Sequence, residues 1–278
     1  YNKIIFTSYS GALFFLILVK FWKKMLIDTH SHIYSTDFIH DSDEVVQRAY
    51  SNDVRKIILP NIDSSSVKNL LNLVDTYPHI CFPLMGLHPT SVNQDYQEEL
   101  QVVEYWLEKR KFYGIGEIGI DLYWEKSFLE EQTHAFRFQL DLAKKYNLPV
   151  VIHVRDSFDE VYKVLCEEKD DKLTGVFHSF AGTLEQANKI IDLGFKLGVN
   201  GIITFKKNGI DEVIKEISPS NLLLETDAPY LTPTPFRGKR NESSYLVYIA
   251  QKIADLHHMA VGDIAKITTE NARKLFGI

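Results

Sequence analysis

Side chains that commonly bind metal ions recur at the ends of short apolar segments. They stand in five separated fragments of the chain, as His30, His32, Glu117, His153, His178 and Asp227. Alternate residues of a β-strand point to the same face, so the side chains of His30 and His32 project together. These imidazoles and carboxylates are costly to bury at one point unless a cation neutralises and coordinates them. The pattern therefore predicts a divalent-metal hydrolase.

From Met25 onward, short apolar segments alternate with amphipathic ones. Strands are predicted over 25–32, 55–62, 80–87, 113–119, 149–155, 174–179, 195–204 and 221–227. Helices are predicted near 42–52, 65–76, 97–111, 128–146, 157–169, 183–193 and 208–217, and then near 242–258 and 262–275. Several strands are continuous apolar runs, as expected of a parallel sheet that is buried on both faces. Repeated strand–helix units predict an α/β protein with a (β/α)8 barrel in a single domain.

The barrel also accounts for the positions of the candidate ligands. Active sites of this fold lie at the carboxyl ends of the strands, and each candidate falls in the last residues of its predicted strand. Taken singly, a histidine beside a strand is more often structural, Asp227 could start a turn, and Glu117 could cap a helix. The shared location of all six candidates at strand ends favours a metal site over these separate explanations.

The composition is that of an ordinary globular protein, with 45% hydrophobic and 24% charged residues among 278. The net charge of −6 argues against a broad surface for non-specific nucleic-acid binding. It does not exclude a polyanionic substrate, because bound cations and a few basic residues can reverse the potential inside a cleft. Cys81 and Cys166 are the two cysteines. A structural disulfide is not expected from them, and the reducing cytoplasm is the predicted location.

Residues 1–24 differ from the rest of the chain. The run from Gly11 to Val19 is strongly apolar, but it is shorter than the roughly 20 residues that a spanning helix needs. A small-residue cleavage site does not follow it, as a signal peptide would require. We interpret residues 1–24 as a non-native or upstream-translated extension, and residues 25–278 as the hydrolase barrel. An interfacial anchor is the alternative, and it alone predicts a membrane contact.

The same fragments resemble the TatD family of metal-dependent deoxyribonucleases, in the amidohydrolase superfamily. The motifs are Ile-Asp-Thr-His-Ser-His (27–32), Gly-Leu-His-Pro (86–89), Gly-Glu-Ile-Gly-Ile-Asp (116–121), Leu-Pro-Val-Val-Ile-His-Val-Arg-Asp (148–156), Phe-His-Ser-Phe-Ala-Gly (177–182), Leu-Leu-Glu-Thr-Asp-Ala-Pro-Tyr-Leu (223–231) and Arg-Gly-Lys-Arg-Asn-Glu (237–242). The resemblance implies two divalent ions bridged by Glu117. One ion is also held by His30, His32 and Asp227, and the other by His153 and His178. Mixed nitrogen and oxygen ligands suit zinc, manganese or magnesium, and the resemblance favours magnesium.

The activity implied is hydrolysis of DNA, single-stranded or at frayed ends, in the manner of a 3'-5' exonuclease that uses metal-activated water. Asp227 is interpreted as both ligand and general base, and His88 as the residue that assists the leaving oxygen. The predicted phosphate contacts are Arg155, Arg237, Lys239 and Asn241, although residues 237–240 could equally form a solvated turn. Tyr123, Trp124, Phe180 and Tyr230 are either base-stacking or core residues. DNA is the predicted partner, and no stable protein partner is expected.

Two other functions remain open. The same barrel could serve as a metal-dependent amidohydrolase or esterase for a small molecule. The basic loop after strand eight weighs against this alternative, as does the lack of a lysine between Ile115 and Trp124 to bridge two metals. A binding protein with a vestigial site is the third hypothesis. It is disfavoured because all six candidate ligands are present, whereas a decayed site would have lost some of them.

Overall fold

The computed structural model describes residues 25–124, 126–206 and 208–278. The strands are β1 (Leu26–Asp28), β2 (Val54–Leu59), β3 (Cys81–Pro83), β4 (Ile115–Asp121), β5 (Val150–Arg155), β6 (Gly175–Phe177), β7 (Lys196–Val199) and β8 (Leu222–Leu224). The α-helices are α1 (Ser42–Ser51), α2 (Val67–Thr76), α3 (Tyr96–Lys109), α4 (Leu129–Tyr146), α5 (Phe158–Glu167), α6 (Leu184–Asp192), α7 (Ile210–Ile214), α8 (Leu246–Leu256) and α9 (Val261–Phe276). The predicted extension, residues 1–24, lies outside the described residues.

The strands are parallel and close into a barrel. Consecutive strands pair with each other in two sheets, one of β1, β2 and β3 and the other of β4, β5, β6, β7 and β8. Between these two ladders, the amide of Gly116 donates to the carbonyl of Met85 at 3.0 Å. At the other joint, the amide of Asp227 donates to His30 at 2.9 Å, and that of His32 donates to Ala228 at 2.7 Å. The protein is therefore a (β/α)8 barrel, as predicted.

The apolar pattern of each element decides which face is buried. Every residue of β4 is buried, because the barrel interior covers one face of the strand and the helices cover the other. Helix α2 buries a stripe that includes Leu70 and Val74, four residues apart and hence on one face. Burying one such side chain contributes about 1.5–3 kcal/mol. Helix α6 begins with a capping box, in which Thr183 and Gln186 satisfy each other's amides.

Six of the strands end earlier than predicted, whereas β5 ends at Arg155 as predicted and β4 continues to Asp121. Strand β1 ends at Asp28 instead of residue 32, and β8 ends at Leu224 instead of residue 227. Beyond these points the chain turns, and Ser179 and Asp227 adopt positive φ angles of 51° and 57°. The candidate ligands after β1, β6 and β8 therefore lie on irregular turns at the carboxyl rim. Within the described residues, no helix is both long and apolar enough to cross a membrane.

Candidate metal centre

The predicted metal ligands converge at the carboxyl end of the barrel. His30, His32, Glu117, His178 and Asp227 are buried, and His153 is half-buried. All of them except the fully buried His30 border a cavity of about 650 Å³, and His88 lines it as well. Residues from five strands or the turns that follow them, far apart in the chain, therefore converge at one site.

The first donor group comes from the two strand ends that close the barrel. The Nε2 atoms of His30 and His32 lie 3.1 Å apart. Each of these nitrogens is 3.8 Å from Oδ1 of Asp227. The three donor atoms thus surround a common point, a geometry that fits a shared cation.

Glu117 lies between two sets of imidazoles. Its Oε2 is 3.1 Å from Nε2 of His30 and 3.7 Å from Nε2 of His32. Its Oε1 is 2.8 Å from Nδ1 of His153 and 3.3 Å from Nε2 of His88. One carboxylate therefore offers a separate oxygen to each side of the site.

Two of the imidazoles each have a buried carboxylate next to one ring nitrogen, which leaves the other ring nitrogen for the site. Nε2 of His153 lies 2.9 Å from Oδ2 of Asp121, so Nδ1 is the nitrogen that faces Glu117. Nδ1 of His178 lies 3.0 Å from Oε1 of Glu225, so Nε2 faces the cavity. Metal-binding histidines are commonly oriented by such a carboxylate. Sequence reasoning did not assign Asp121 or Glu225 a role, although a charged residue next to a buried apolar run was a usable signal.

Glu225 reaches its position because the neighbouring strand leaves room for it. A Cβ atom at Gly198 would lie 2.3 Å from Oε2 of Glu225, far inside contact distance. The amide of Ser179 donates to Oε1 of Glu225 at 2.6 Å. Burial lowers the pKa of His178, but Glu225 together with the other nearby carboxylates raises it to about 10. The geometry therefore makes Glu225 the main electrostatic partner of His178.

Two further residues fix the first donor group. Asp28 accepts hydrogen bonds from the amide and the hydroxyl of Thr226 at 2.9 and 2.6 Å, which ties β1 to the turn after β8. Nδ1 of His32 lies 3.0 Å from the hydroxyl of Tyr34, which itself donates to the carbonyl of Pro60 at 2.5 Å. Nε2 of His32 is thereby directed at the site.

Burial sets the protonation of the first donor group. It lowers the pKa of His32 to about 4 and that of His30 well below its usual value. Both imidazoles are therefore neutral near pH 7, and a neutral imidazole is the form that coordinates metals. Burial also raises the pKa of Asp227 to about 7, because its charge lacks solvation. A cation at this point would relieve that cost, so the donor set fits a divalent metal ion.

The predicted substrate contacts lie in different surroundings. Arg155 lines the cavity at its mouth. Arg237 donates to the carbonyl of Thr232 at 2.9 Å, and its guanidinium lies 3.6 Å from the ring centre of Phe205. Among the described residues that line the cavity, Arg155 is present, whereas Arg237 and Lys239 are not. The loop after β8 therefore does not bring its basic residues to the metal ligands.

Asn241 has contacts that differ from the predicted substrate contact. Its side chain is fully buried. The amide nitrogen donates to the carbonyls of Thr226 and Tyr230 at 2.8 and 2.6 Å, and the amide oxygen accepts from the backbone of Glu242 at 2.9 Å. Both donors of the amide are used inside the fold. Asn241 therefore shapes the turn after β8 instead of facing the cavity.

Comparisons with known proteins agree with this geometry. The family described as TatD related DNase matches residues 27–277. An uncharacterised metal-dependent hydrolase of Bacillus subtilis is 40% identical over 255 residues, covering 91% of this chain and 100% of its own. A Pantoea ananatis protein named 3'-5' ssDNA/RNA exonuclease TatD is 30% identical over 259 residues, covering 91% of this chain and 100% of its own.

Solved structures of TatD proteins also resemble this chain. The TatD homologue YjjV of Escherichia coli K12 has a TM-score of 0.86 at 32% identity, covering 92% of this chain and 99% of its own. A TatD family hydrolase of Entamoeba histolytica has a TM-score of 0.81 at 25% identity, covering 91% and 98%. The family match to residues 27–277 extends over almost the whole described chain, within which all the candidate ligands lie. The protein is therefore a metal-dependent hydrolase of the TatD family.

Proposed function

We propose that the protein is a phosphodiesterase that hydrolyses DNA from single-stranded or frayed ends in the 3'-5' direction. The observation that carries the proposal is the position of the Glu117 carboxylate between two groups of imidazoles. Its Oε2 faces His30, and its Oε1 faces His153. Paired divalent ions are a common solution for phosphodiester cleavage, because they stabilise both the attacking and the leaving oxygen. The relative named as an exonuclease for single-stranded DNA and RNA supports the same substrate class.

We propose two ions per chain, with magnesium favoured and manganese or zinc as alternatives. His30, His32 and Asp227 would hold one ion and His153 with His178 the other, while Glu117 would bridge them. When bound, such ions neutralise phosphate charge and lower the pKa of a water ligand. The free Cys81 and Cys166 accord with a reducing cytoplasm, which we propose as the location.

In this proposal Asp227 accepts the proton of the attacking water. Its side chain is 12% exposed, compared with 3% for Glu117, so it is the carboxylate of the site with more access to the cavity. Glu117 lies deeper and serves as the bridging ligand.

His88 is proposed to assist the leaving oxygen by donating a hydrogen bond to it from Nε2. Its Nδ1 accepts a hydrogen bond from the amide of Thr90 at 3.1 Å. A neutral imidazole that accepts at Nδ1 carries its proton on Nε2. Nε2 lies 3.3 Å from Oε1 of Glu117, beside the cavity, so His88 presents a donor to it.

Arg155 is proposed to hold the scissile phosphate or its neighbour, because it lines the cavity beside the metal ligands. A guanidinium matches phosphate oxygens through two parallel hydrogen bonds. Arg237 and Lys239 lie outside this cavity. We propose them as contacts to more distant phosphates of a longer strand.

The test is digestion of end-labelled single-stranded and duplex DNA after chelation and reloading with magnesium, manganese or zinc. We expect metal-dependent shortening of the single strand from its 3' end, and slower attack on blunt duplex. Asp227→Asn, with verified metal content, is the inactive control. Hydrolysis of an ester panel without any cleavage of DNA would instead establish a small-molecule hydrolase and overturn the proposal.

A further inference from the structure

Two exposed aromatic side chains line the cavity of the metal centre. Trp124 follows β4 and is 67% exposed, while Tyr230 follows β8 and is 56% exposed. Both border the cavity of about 650 Å³ that five of the six proposed metal ligands line. In a closed eight-stranded barrel, β4 and β8 are half a turn apart. The two rings therefore stand on opposite sides of the metal centre.

A buried acid connects the Trp124 side to a metal ligand. Oδ1 of Asp121 accepts the amides of Tyr123 and Trp124 at 2.9 and 3.0 Å, and Oδ2 lies 2.9 Å from Nε2 of His153. The guanidinium of Arg155 lies 3.9 Å from the ring centre of Tyr123 and 5.3 Å from that of Trp124. This side of the cavity thus has aromatic rings and the guanidinium of Arg155, and Asp121 fixes the backbone of both aromatic residues relative to His153.

A buried amide connects the Tyr230 side to the other ligands. The amide of Tyr230 donates to the carbonyl of Asp227 at 2.8 Å, and its carbonyl accepts from Asn241 at 2.6 Å. The ring centre lies 6.5 Å from that of His32. Tyr230 is therefore held by its backbone within one turn of Asp227, while more than half of the residue is exposed.

Single exposed aromatic residues are common on protein surfaces and need no explanation. Here, however, two of them share one cavity, and the backbone of each is fixed by a buried polar group that also holds a metal-site turn. Nucleobases stack on such rings without sequence preference, because every base has a π-face.

We propose that Trp124 and Tyr230 stack the two bases that flank the scissile phosphate, one on each side of the metal centre. This inference rests on the proposed nuclease function and adds the way in which the strand is held. The two bases must separate to reach opposite rims, so neither can stay paired. A duplex end would have to open by two base pairs before it fits, and sequence would matter little.

The experiment compares four variants with short oligothymidylates, which have little self-stacking to compete with the protein. Trp124→Ala and Tyr230→Ala remove each ring, and Trp124→Phe and Tyr230→Phe keep an aromatic face. Tyr105→Ala is the matched control, because Tyr105 is 53% exposed but lies on α3, away from the cavity. Metal content and thermal unfolding are measured for each protein.

Each alanine variant is expected to lose about 5- to 150-fold in kcat/KM, because this fold-change corresponds to the free energy of stacking one base on an aromatic ring. The phenylalanine variants should retain most of the activity, and Tyr105→Ala should match the wild type. Oligonucleotides with one abasic residue at either of the last two positions provide the second arm. When the base at one of these positions is missing, wild type and Trp124→Ala should have nearly the same kcat/KM. When the base at the other position is missing, wild type and Tyr230→Ala should have nearly the same kcat/KM.

Alanine variants within twofold of the wild type, or losses that abasic substitution leaves unchanged, would overturn the inference while the nuclease function stands. Wild-type hydrolysis of bis(4-nitrophenyl) phosphate, a diester without bases, is measured in parallel. If the loaded wild type cleaves neither this diester nor the oligonucleotide, the proposed function fails and the stacking inference fails with it.

Discussion

Glu225→Gln tests whether the buried acid behind His178 sets metal affinity. The substitution keeps the size of the side chain and leaves one oxygen to accept the amide of Ser179, but it removes the charge that faces Nδ1 at 3.0 Å. A hydrogen bond to a charged group contributes about 1.5–3 kcal/mol, and a neutral one about 0.5–1.5 kcal/mol. The difference of about 1–1.5 kcal/mol corresponds to roughly tenfold weaker metal binding. That value lies at the lower end of the range for residues that orient metal ligands.

The assay is titration of the metal-free protein against a chromophoric chelator, with kcat followed on the same samples. Glu185→Gln is the control, because Glu185 lies on the surface of α6 and pairs only with the exposed Lys189 among its described ion-pair partners. Thermal unfolding of the metal-free forms separates a loss of affinity from a loss of fold. Unchanged affinity in Glu225→Gln would refute the assignment of Glu225 as the partner that orients His178.

Three more outcomes are expected. Asp227→Asn should lower kcat by about two or more decades, because the amide cannot accept the proton, with oligonucleotide binding measured by anisotropy much less affected. Arg155→Ala should weaken oligonucleotide binding and lower the log–log salt dependence by about 0.7, and Arg237→Ala, which is outside the cavity, should change both less. An equal effect of the two arginine variants would contradict this order. Thr183→Ala removes the capping box of α6 and should cost about 1 kcal/mol of unfolding free energy in denaturant titrations, while metal affinity stays constant.

The barrel and the set of converging ligands were predictable from the sequence. Apolar runs of strand length have a strong pattern, and the position of a ligand relative to the end of its run is visible in the chain. The ends of β1 and β8 were not predictable, because positive φ angles such as that of Asp227 depend on contacts with distant strands. The predicted strands therefore continue through residues that form the turns of the site.

The supporting residues of the site show a second limit of sequence reasoning. Asp121 and Glu225 are in motifs that the sequence displays, yet their distance from a ligand along the chain does not show which histidine they contact. Asn241 and Arg237 have packing contacts that the sequence does not indicate. Their chemistry suits phosphate, but Asn241 is buried among backbone carbonyls and Arg237 packs on Phe205. Tertiary packing decides these roles, and one sequence does not contain it.

The joint between β8 and β1 joins metal binding to the integrity of the barrel. The hydrogen bonds that close it use backbone groups of three candidate ligands, with Asp227 donating to His30 and His32 donating to Ala228. A cation held by these side chains, as we propose, would also hold the two ends of the barrel wall together, and its binding energy would resist opening there. Chelation should speed amide hydrogen exchange at His32 and Asp227 far more than at the β2–β3 ladder, which contains no proposed ligand. Removal of the metal would therefore let the barrel wall open more readily between β8 and β1 than between other strands.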